Sequence, residues 1–295
     1  MNPLPFVRPR RILATCLCLC GALLLTACAT PRPPEVTTPV RPALPLRTPA
    51  ATPYSAVVVD AHSGKLIYAV ADKQTRFPAS LAKMMTLYLV FEALDSGRIS
   101  KNTRIPISAR AAAQPASKLD LKPADTIDVD TAIRALVVKS ANDVATAVAE
   151  HLGGSEANFS AQMTARARML GMSNTTFRNA SGLPDSGMRT TARDMATLGM
   201  ALKRDFPGEF GYFSLRHFER NGHIFKGHNR ALDMIAGADG IKTGFTRAAG
   251  FNLATSVRQD GRALVAVVMG AESARSRDVL MYDLISASLP TAERR

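Results

Sequence analysis

Apolar and polar positions change period several times along this chain, and each change marks an element. Ser55-Ala-Val-Val-Val-Asp60 and Lys65-Leu-Ile-Tyr-Ala-Val70 read as two strands with His62-Ser63-Gly64 in the connecting turn, a hairpin. From Ala79 to Leu94 the apolar residues are nearly continuous, which predicts a helix buried on most sides. A helical middle follows. Asp130 can cap a helix through Val138, a second starts near Asn142 and ends at Gly153-Gly154, and Ser155 can cap a third that stops at Gly171. Thr191 and Asp194 have capping-box spacing ahead of a helix to about Lys203. Strands return at 240–247, 251–257 and 263–269, the last two joined by Arg258-Gln-Asp-Gly261, whose Asp-Gly marks a hairpin turn. A final helix is expected from about Ala274 to Ser288. Strands at both ends around a helical middle predict one antiparallel sheet built from both termini with helices packed on it, an α+β fold.

The first 53 residues follow another pattern. Arg8, Arg10 and Arg11 precede a 14-residue apolar run, Ile12 to Leu25, with small residues after it, the layout of an export signal. The end of that run, Leu25-Thr26-Ala27-Cys28, resembles the bacterial lipoprotein signal, in which the cysteine is diacylated and becomes the mature N-terminus. Ala27-Cys28-Ala29 also fits plain cleavage after Ala29, which would leave a soluble periplasmic or secreted protein. With Ala29 rather than an aspartate after the cysteine, the resemblance implies an outer-membrane address in a Gram-negative cell. Eight of the 18 prolines lie between Pro31 and Pro53, composition suited to a semi-rigid extended spacer. The expected organisation is a signal over 1–27, a lipidated Cys28 with a tether to residue 53, and a catalytic domain over 54–295.

Composition narrows the classes further. Hydrophobic content of 46%, charged content of 21% and a mean hydropathy near zero exclude a disordered chain. No apolar run reaches the roughly 18–20 residues of a spanning helix. The four cysteines lie at 16, 18, 20 and 28, so residues 54–295 can hold no disulfide, thiolate metal site or cysteine nucleophile. Subtracting the three arginines of the signal and the net two charges of the tether from the chain's +13 leaves +8 on residues 54–295. An export signal removes nucleic acid as the partner for that charge, which leaves anionic lipid headgroups, an acidic wall polymer or general solubility. The five histidines show no paired ligand spacing, so His223 and His228 read as surface residues, and neither a metal nor another cofactor is expected.

Three short motifs carry chemistry: Ser80-Leu-Ala-Lys83, Ser140-Ala-Asn142 and Lys242-Thr-Gly244. Serine and lysine three apart share a helix face, so Lys83 can reach the Ser80 hydroxyl. A serine hydroxyl is a poor nucleophile until a base takes its proton, and a lysine can be that base when burial and a nearby cation lower its pKa. The apolar helix supplies burial and Lys242 could supply the cation. Ser80 follows Pro78, so it starts its helix with an N–H free to stabilise an oxyanion. Ser140 and Asn142 fall between two helices, where side chains can face a cleft. Gly244, on a strand, would let a substrate backbone pair closely with that edge.

The triplet, in this order, is the signature of penicillin-binding proteins and serine β-lactamases. With Phe77-Pro-Ala-Ser-Leu-Ala-Lys-Met-Met-Thr86, Ser140-Ala-Asn-Asp-Val-Ala145, Ser181-Gly-Leu183, Thr191-Ala-Arg-Asp-Met195 and Asp239-Gly-Ile-Lys-Thr-Gly-Phe-Thr246, the sequence resembles the low-molecular-mass D-alanyl-D-alanine carboxypeptidases over about residues 54–285. The resemblance implies a β-lactamase/transpeptidase-like fold with a helical subdomain, and an enzyme that removes the terminal D-alanine from peptidoglycan stem pentapeptides. It implies Ser80 as the acylated nucleophile, Lys83 as base and Ser140 as proton donor to the leaving nitrogen. Asn142 would bind the substrate peptide, and Lys242, Thr243 and Arg277 its terminal carboxylate, with Arg275 as the competing arginine. The N–H groups of Ser80 and Phe245 would form the oxyanion hole. β-Lactams would acylate Ser80.

Many members of that family add a β-rich second domain and a C-terminal amphipathic anchor, and this sequence ends at Arg295, so a lipid on Cys28 is expected to supply membrane attachment. No Glu-x-x-Leu-Asn run is present, and Glu150 and Glu156 fall in or beside helices, so a penicillin adduct is expected to persist. The competing readings are an endopeptidase of the same family that cleaves cross-links, a β-lactamase, and a catalytically silent wall-binding lipoprotein.

Overall fold

The computed structural model describes residues 54–295; the expected signal, Cys28 and the tether lie outside the described residues. In chain order, strands β1 (Ser55–Asp60) and β2 (Leu66–Val70) form the first hairpin, followed by helix α1 (Ala82–Asp95). A small pair, β3 (Arg104–Pro106) and β4 (Thr126–Asp128), frames the short helix α2 (Ala109–Ala112). Helices α3 (Val129–Arg134), α4 (Asn142–Gly153), α5 (Glu156–Met169) and α6 (Ala192–Asp205) make up the helical middle. A second small pair, β5 (His217–Arg220) and β6 (His223–Lys226), and the short helix α7 (Ala231–Met234) lead to β7 (Ala238–Thr246), β8 (Gly250–Gln259) and β9 (Arg262–Ala271), and α8 (Ala274–Ser288) follows.

The main sheet has the order β2-β1-β9-β8-β7, antiparallel throughout, so strands from both ends of the domain meet at the β1–β9 pairing. Both its faces are covered. Val57 and Val59 of β1, with Val265, Val267 and Met269 of β9, join the core under α1, α4 and α6. The intervening Ala56, Val58, Leu264, Ala266 and Val268 join the core under α8. Two apolar faces are why these strands read as unbroken hydrophobic runs instead of alternating ones. Helix α1 runs through the larger core, buried from Ala82 to Phe91, which accounts for its continuous apolar sequence.

Local chemistry departs from the expected elements at three places. The cap of α3 is Asp128, whose carboxylate accepts the Thr131 N–H (2.8 Å); Asp130 sits within the first turn and pairs with Arg134. That helix gives way at Ala135–Lys139 to a π-helical turn ending at Ser140, which has a left-handed backbone (φ +58°). Thr191 caps α6 as expected, accepting the Asp194 N–H (3.0 Å), but Asp194 does not close a capping box. Its carboxylate accepts instead from the Asn174 N–H and the Thr175 hydroxyl, tying α6 to the loop after α5. The two small strand pairs had no sequence pattern strong enough to predict them. At Asp260-Gly261 both residues have positive φ (+50° and +72°), the geometry that the two-residue hairpin between β8 and β9 requires.

Candidate active site

Ser80 stands in a 3-10 turn, Ala79–Leu81, that leads into α1, so the expected helix over 79–94 has a distorted first turn. The turn is held from three sides. The Asn252 side chain, wholly buried in β8, donates to the carbonyls of Phe77 and Pro78 (both 3.0 Å) and accepts the Gly270 N–H (2.9 Å), pinning the segment before Ser80 to the sheet. Gly244 of β7 presses on the turn: a Cβ there would stand 3.0 Å from the Ser80 nitrogen and 3.1 Å from the Pro78 oxygen. Gly182 packs on the other flank with φ +82°, where a Cβ would fall 1.8 Å from the Ala79 oxygen. The bare backbone at Gly244 is therefore needed for this packing, whatever it also offers a substrate. The Ser80 N–H lies ahead of the turn's first internal hydrogen bond, Leu81 N–H to Pro78 O (3.2 Å).

Lys83, one helical turn on, is wholly buried. Its Nζ lies 2.6 Å from the Ser181 carbonyl oxygen, 2.8 Å from Asn142 Oδ1 and 3.2 Å from Ser80 Oγ. Two of these partners are acceptors only, and the third is a hydroxyl that can accept or donate. Burial drives the Lys83 pKa well below the usual lysine value; the charge of Lys242 pushes the same way and that of Asp143 opposes. A neutral amine fits this cage, with two N–H groups given to the carbonyl oxygens and the lone pair turned to the Ser80 hydroxyl.

Ser140 and Asn142 come from the break between the π-turn and α4. The left-handed Ser140 ends one helix, and its Oγ is buried with no hydrogen-bond partner among the described residues. The Asn142 side chain is committed to the protein, Oδ1 to Lys83 and Nδ2 to the Pro115 carbonyl (3.0 Å), so the structure gives it a positioning contact in addition to its place on the cleft wall. Asp143 beside it is wholly buried and forms no ion pair among the described residues. Its carboxylate accepts the N–H groups of Leu119 (3.0 Å) and Leu121 (3.3 Å), while Asn142 N–H donates to Ser117 O (2.7 Å). Together these bonds hold the 115–121 loop against the Ser140–Asn142 motif.

β7 contributes Thr243, Gly244 and Phe245 to the cleft wall, while Lys242 is buried beside Thr243 and does not itself line the cleft. Burial and the charge of Arg277 push the Lys242 pKa down to about 7. Arg277, in the first turn of α8, is buried and donates through Nε (2.9 Å) and Nη2 (2.6 Å) to Asp278 Oδ1, while Arg275 is exposed and stands off the cleft. The Phe245 ring is exposed and stacks on Phe251 (centroids 4.2 Å apart).

Ser80, Ser140, Asn142, Thr243, Gly244, Phe245 and Arg277 all line one cleft of about 680 Å³, with Lys83 directly beneath Ser80. No carboxylate lines it among the described residues. Glu156 is used elsewhere, accepting from Arg110 (2.7 Å) and the Ala180 N–H (3.2 Å). His228 is exposed, as expected, but it also lines the cleft, where burial and then the charges of Lys242, Lys139 and Arg277 lower its pKa. Asn252, Ser181, Gly182 and Asp143 were given no role by sequence reasoning. The signals available were a lone asparagine within an apolar strand and an aspartate opening an apolar helix.

The sequence and fold are similar to those of known proteins. A family model described as D-alanyl-D-alanine carboxypeptidase matches residues 44–273. The chain belongs to the D-alanyl-D-alanine carboxypeptidase family. It is 36% identical over 228 residues to the D-alanyl-D-alanine carboxypeptidase DacC of Escherichia coli strain K12, covering 75% of this chain and 57% of that protein. Among solved structures it is similar to penicillin binding protein 5 from Haemophilus influenzae (34% identity, TM-score 0.76, 81% of this chain and 71% of that one). It is also similar to penicillin-binding protein D2 from Listeria monocytogenes in a cefotaxime-bound form (29% identity, TM-score 0.72, 79% and 96%). The chain spans about three-fifths of the length of the curated relatives it matches.

Proposed function

We propose that this protein is a serine-type D-alanyl-D-alanine carboxypeptidase that removes the terminal D-alanine from peptidoglycan stem pentapeptides. The observation that carries the reading is the Lys83 amine, caged by two carbonyl oxygens with its remaining direction on Ser80 Oγ. Lys83 takes the Ser80 proton as Oγ bonds to the carbonyl carbon of the penultimate D-alanine, and the oxyanion forms beside the Ser80 turn and strand β7. The Ser140 hydroxyl, without a hydrogen-bond partner among the described residues, relays a proton to the departing nitrogen as the C–N bond breaks. Thr243 and Arg277 line the cleft and the Lys242 charge is buried beside them, a cationic end that suits the substrate's terminal carboxylate. Water then cleaves the Ser80 ester, with Lys83 again accepting the proton. β-Lactams would enter the same path and stop at the ester, since ring opening leaves the departing nitrogen tethered to the acyl group, where it occupies the place that D-alanine vacates for water.

The reading extends to location. A signal over 1–27, diacylated Cys28 and a proline-rich tether to residue 53 would hold the domain in the periplasm on a lipid anchor. Intact-mass analysis of the mature protein, with Cys28→Ala as control, tests this: an N-terminus at Cys28 without acyl mass would sink it. Mass spectrometry of purified muropeptides tests the activity. Conversion of pentapeptide to tetrapeptide, lost in Ser80→Ala, is expected. Splitting of cross-linked dimers without loss of pentapeptide would replace the carboxypeptidase by the endopeptidase.

A further inference from the structure

Gly227, His228 and Arg230 on the cleft wall come from the segment after strand β6, and the β5–β6 hairpin that precedes them has no part in the mechanism. Between Phe210 and Leu232 the sequence holds one acid, Glu219, against Arg216, Arg220, Lys226, Arg230 and three histidines. Of these arginines and the lysine, only Arg216 has an ion-pair partner among the described residues, Asp233 at 2.6 Å. The strand register offers no local compensation. Arg220 stands opposite His223 and Lys226 opposite His217, so no acid faces either cation across the strands, where an opposite charge would stabilise the ladder. Glu219 faces Ile224 instead. His217, His223, Lys226 and Arg230 are exposed and Arg220 is half-buried. Lys139, the residue before Ser140, adds a cation to the same strip, its Nζ standing over the Phe225 ring (6.0 Å to the centroid).

This strip leads to the mouth of the cleft. Lys226 adjoins Gly227 on the cleft wall, and the basic positions run back along β6 to His223, with Arg220 across from it, about 10 Å away at the strand rise. Exposed charge that no acid of the chain balances suits an anionic partner. The polymeric substrate is one, since each stem peptide with a free terminal residue ends in a carboxylate and many stems lie along one polymer. A bilayer laid on the same strip would abut the cleft mouth and bar the polymer from it. We infer that the β5–β6 hairpin, with Lys139 and Arg230, is a second binding surface for the polymer, holding carboxylates of neighbouring stem peptides while one stem occupies the cleft. Each such contact is weak by itself, and together they raise the local concentration of stems at Ser80. The inference rests on the carboxypeptidase reading and adds a preference for polymer over free peptide.

The test follows D-alanine release by the full chain from a soluble acetylated Lys-D-Ala-D-Ala peptide and from purified sacculi rich in pentapeptide. Arg220→Glu with Lys226→Glu alters the strip. Lys65→Glu with Lys73→Glu makes the same charge change at exposed positions flanking β2, at the far edge of the main sheet from β7. Both double variants should cleave the soluble peptide at the parent rate, and equal acylation by a fluorescent penicillin shows that each is folded with a working Ser80. At about two- to fivefold for each exposed cation, the strip variant should be about tenfold slower than the parent on sacculi at low salt, with the β2 variant unchanged. Salt at roughly 0.5 M should close that gap by screening. A strip variant no slower on sacculi than the β2 variant, or a loss that persists at high salt, would overturn the surface. Loss of binding to phosphatidylglycerol vesicles with an unchanged rate on sacculi would assign the strip to a lipid surface and overturn it too. Penicillin acylation with no D-alanine released from either substrate by the parent would overturn the carboxypeptidase reading itself, and the surface with it.

Discussion

Replacing Lys242 by methionine should make this protein more stable while disabling it. Lys242 is 2% exposed, forms no ion pair among the described residues, and its Nζ donates only to the adjacent Thr243 carbonyl (3.1 Å). Burial and Arg277 lower its pKa from 10.5 to about 7. The folded state therefore sheds a proton that the unfolded chain keeps, so stability is lowest at and below pH 7 and rises with pH until the unfolded lysine titrates near 10.5. At about 1.36 kcal/mol per tenfold, the charged group costs about 4 kcal/mol at pH 7 and about 2 kcal/mol at pH 9. Methionine keeps the volume and removes the charge but forfeits the bond to Thr243, roughly 1 kcal/mol. The expected gain is about 3 kcal/mol at pH 7, or about 6–12 °C in Tm for a domain of this size, falling to about 1 kcal/mol at pH 9. Urea unfolding of both proteins at the two pH values measures it, and D-alanine release should fall by about a hundredfold as the carboxylate loses its cation. A variant no more stable than the parent at pH 7, or a gain that does not shrink at pH 9, would refute the reasoning that Lys242 is held charged against its surroundings for the substrate's sake.

Other consequences follow from the same geometry. Ser80→Ala should remain folded and show no β-lactam adduct by intact-mass spectrometry, while the parent adduct outlasts hours of incubation because the opened ring's nitrogen stays tethered to the acyl group and among the described residues no carboxylate lines the cleft as a second base. Gly182→Ala would put a Cβ 1.8 Å from the Ala79 oxygen at φ +82°, so it should cost roughly 2–4 kcal/mol by thermal unfolding and slow acylation by shifting the Ser80 turn. Arg277→Ala should raise KM for the pentapeptide about tenfold or more, whereas Arg275→Ala, off the cleft, should leave it unchanged. The kcat/KM profile should be a bell: its acid limb follows Lys83, which must be neutral to act as base, and its alkaline limb lies near pH 7, where free Lys242 loses its charge. An alkaline limb above pH 9 would show that Lys242 is not the carboxylate's partner.

Most of the skeleton was legible from residues alone. The strands at both ends, α1, α4, α5, α6 and α8 were visible because period, caps and Asp-Gly turns are local properties. Periodicity did not supply the reaction class; that came from three motifs whose order and spacing resemble a known family. Local reasoning failed where a side chain answers to distant partners. Asp130 read as a cap because its carboxylate lies ahead of a helical run, yet Asp128, two residues earlier, is the one that accepts the Thr131 N–H. Asp194 has box spacing, yet two donors from the loop after α5 outcompete the cap.

The sequence by itself determined which chemical groups were available: one serine–lysine pair at helical spacing, a second lysine on a strand, and no cysteine in residues 54–295. Only the tertiary structure decided how those groups behave. Lys83 is desolvated and its pKa lowered because α1 runs through the core, which also brings Ser181 and Asn142, 98 and 59 residues away, onto its amine. Arg277 rather than Arg275 faces the cleft because α8 turns its buried side toward it. Gly244 has its place because β7 must touch the Ser80 turn, a contact across 164 residues that no local pattern encodes. Composition and spacing are properties of neighbours along the chain. Desolvation, orientation and proximity arise only when residues far apart in that chain share one low-dielectric volume.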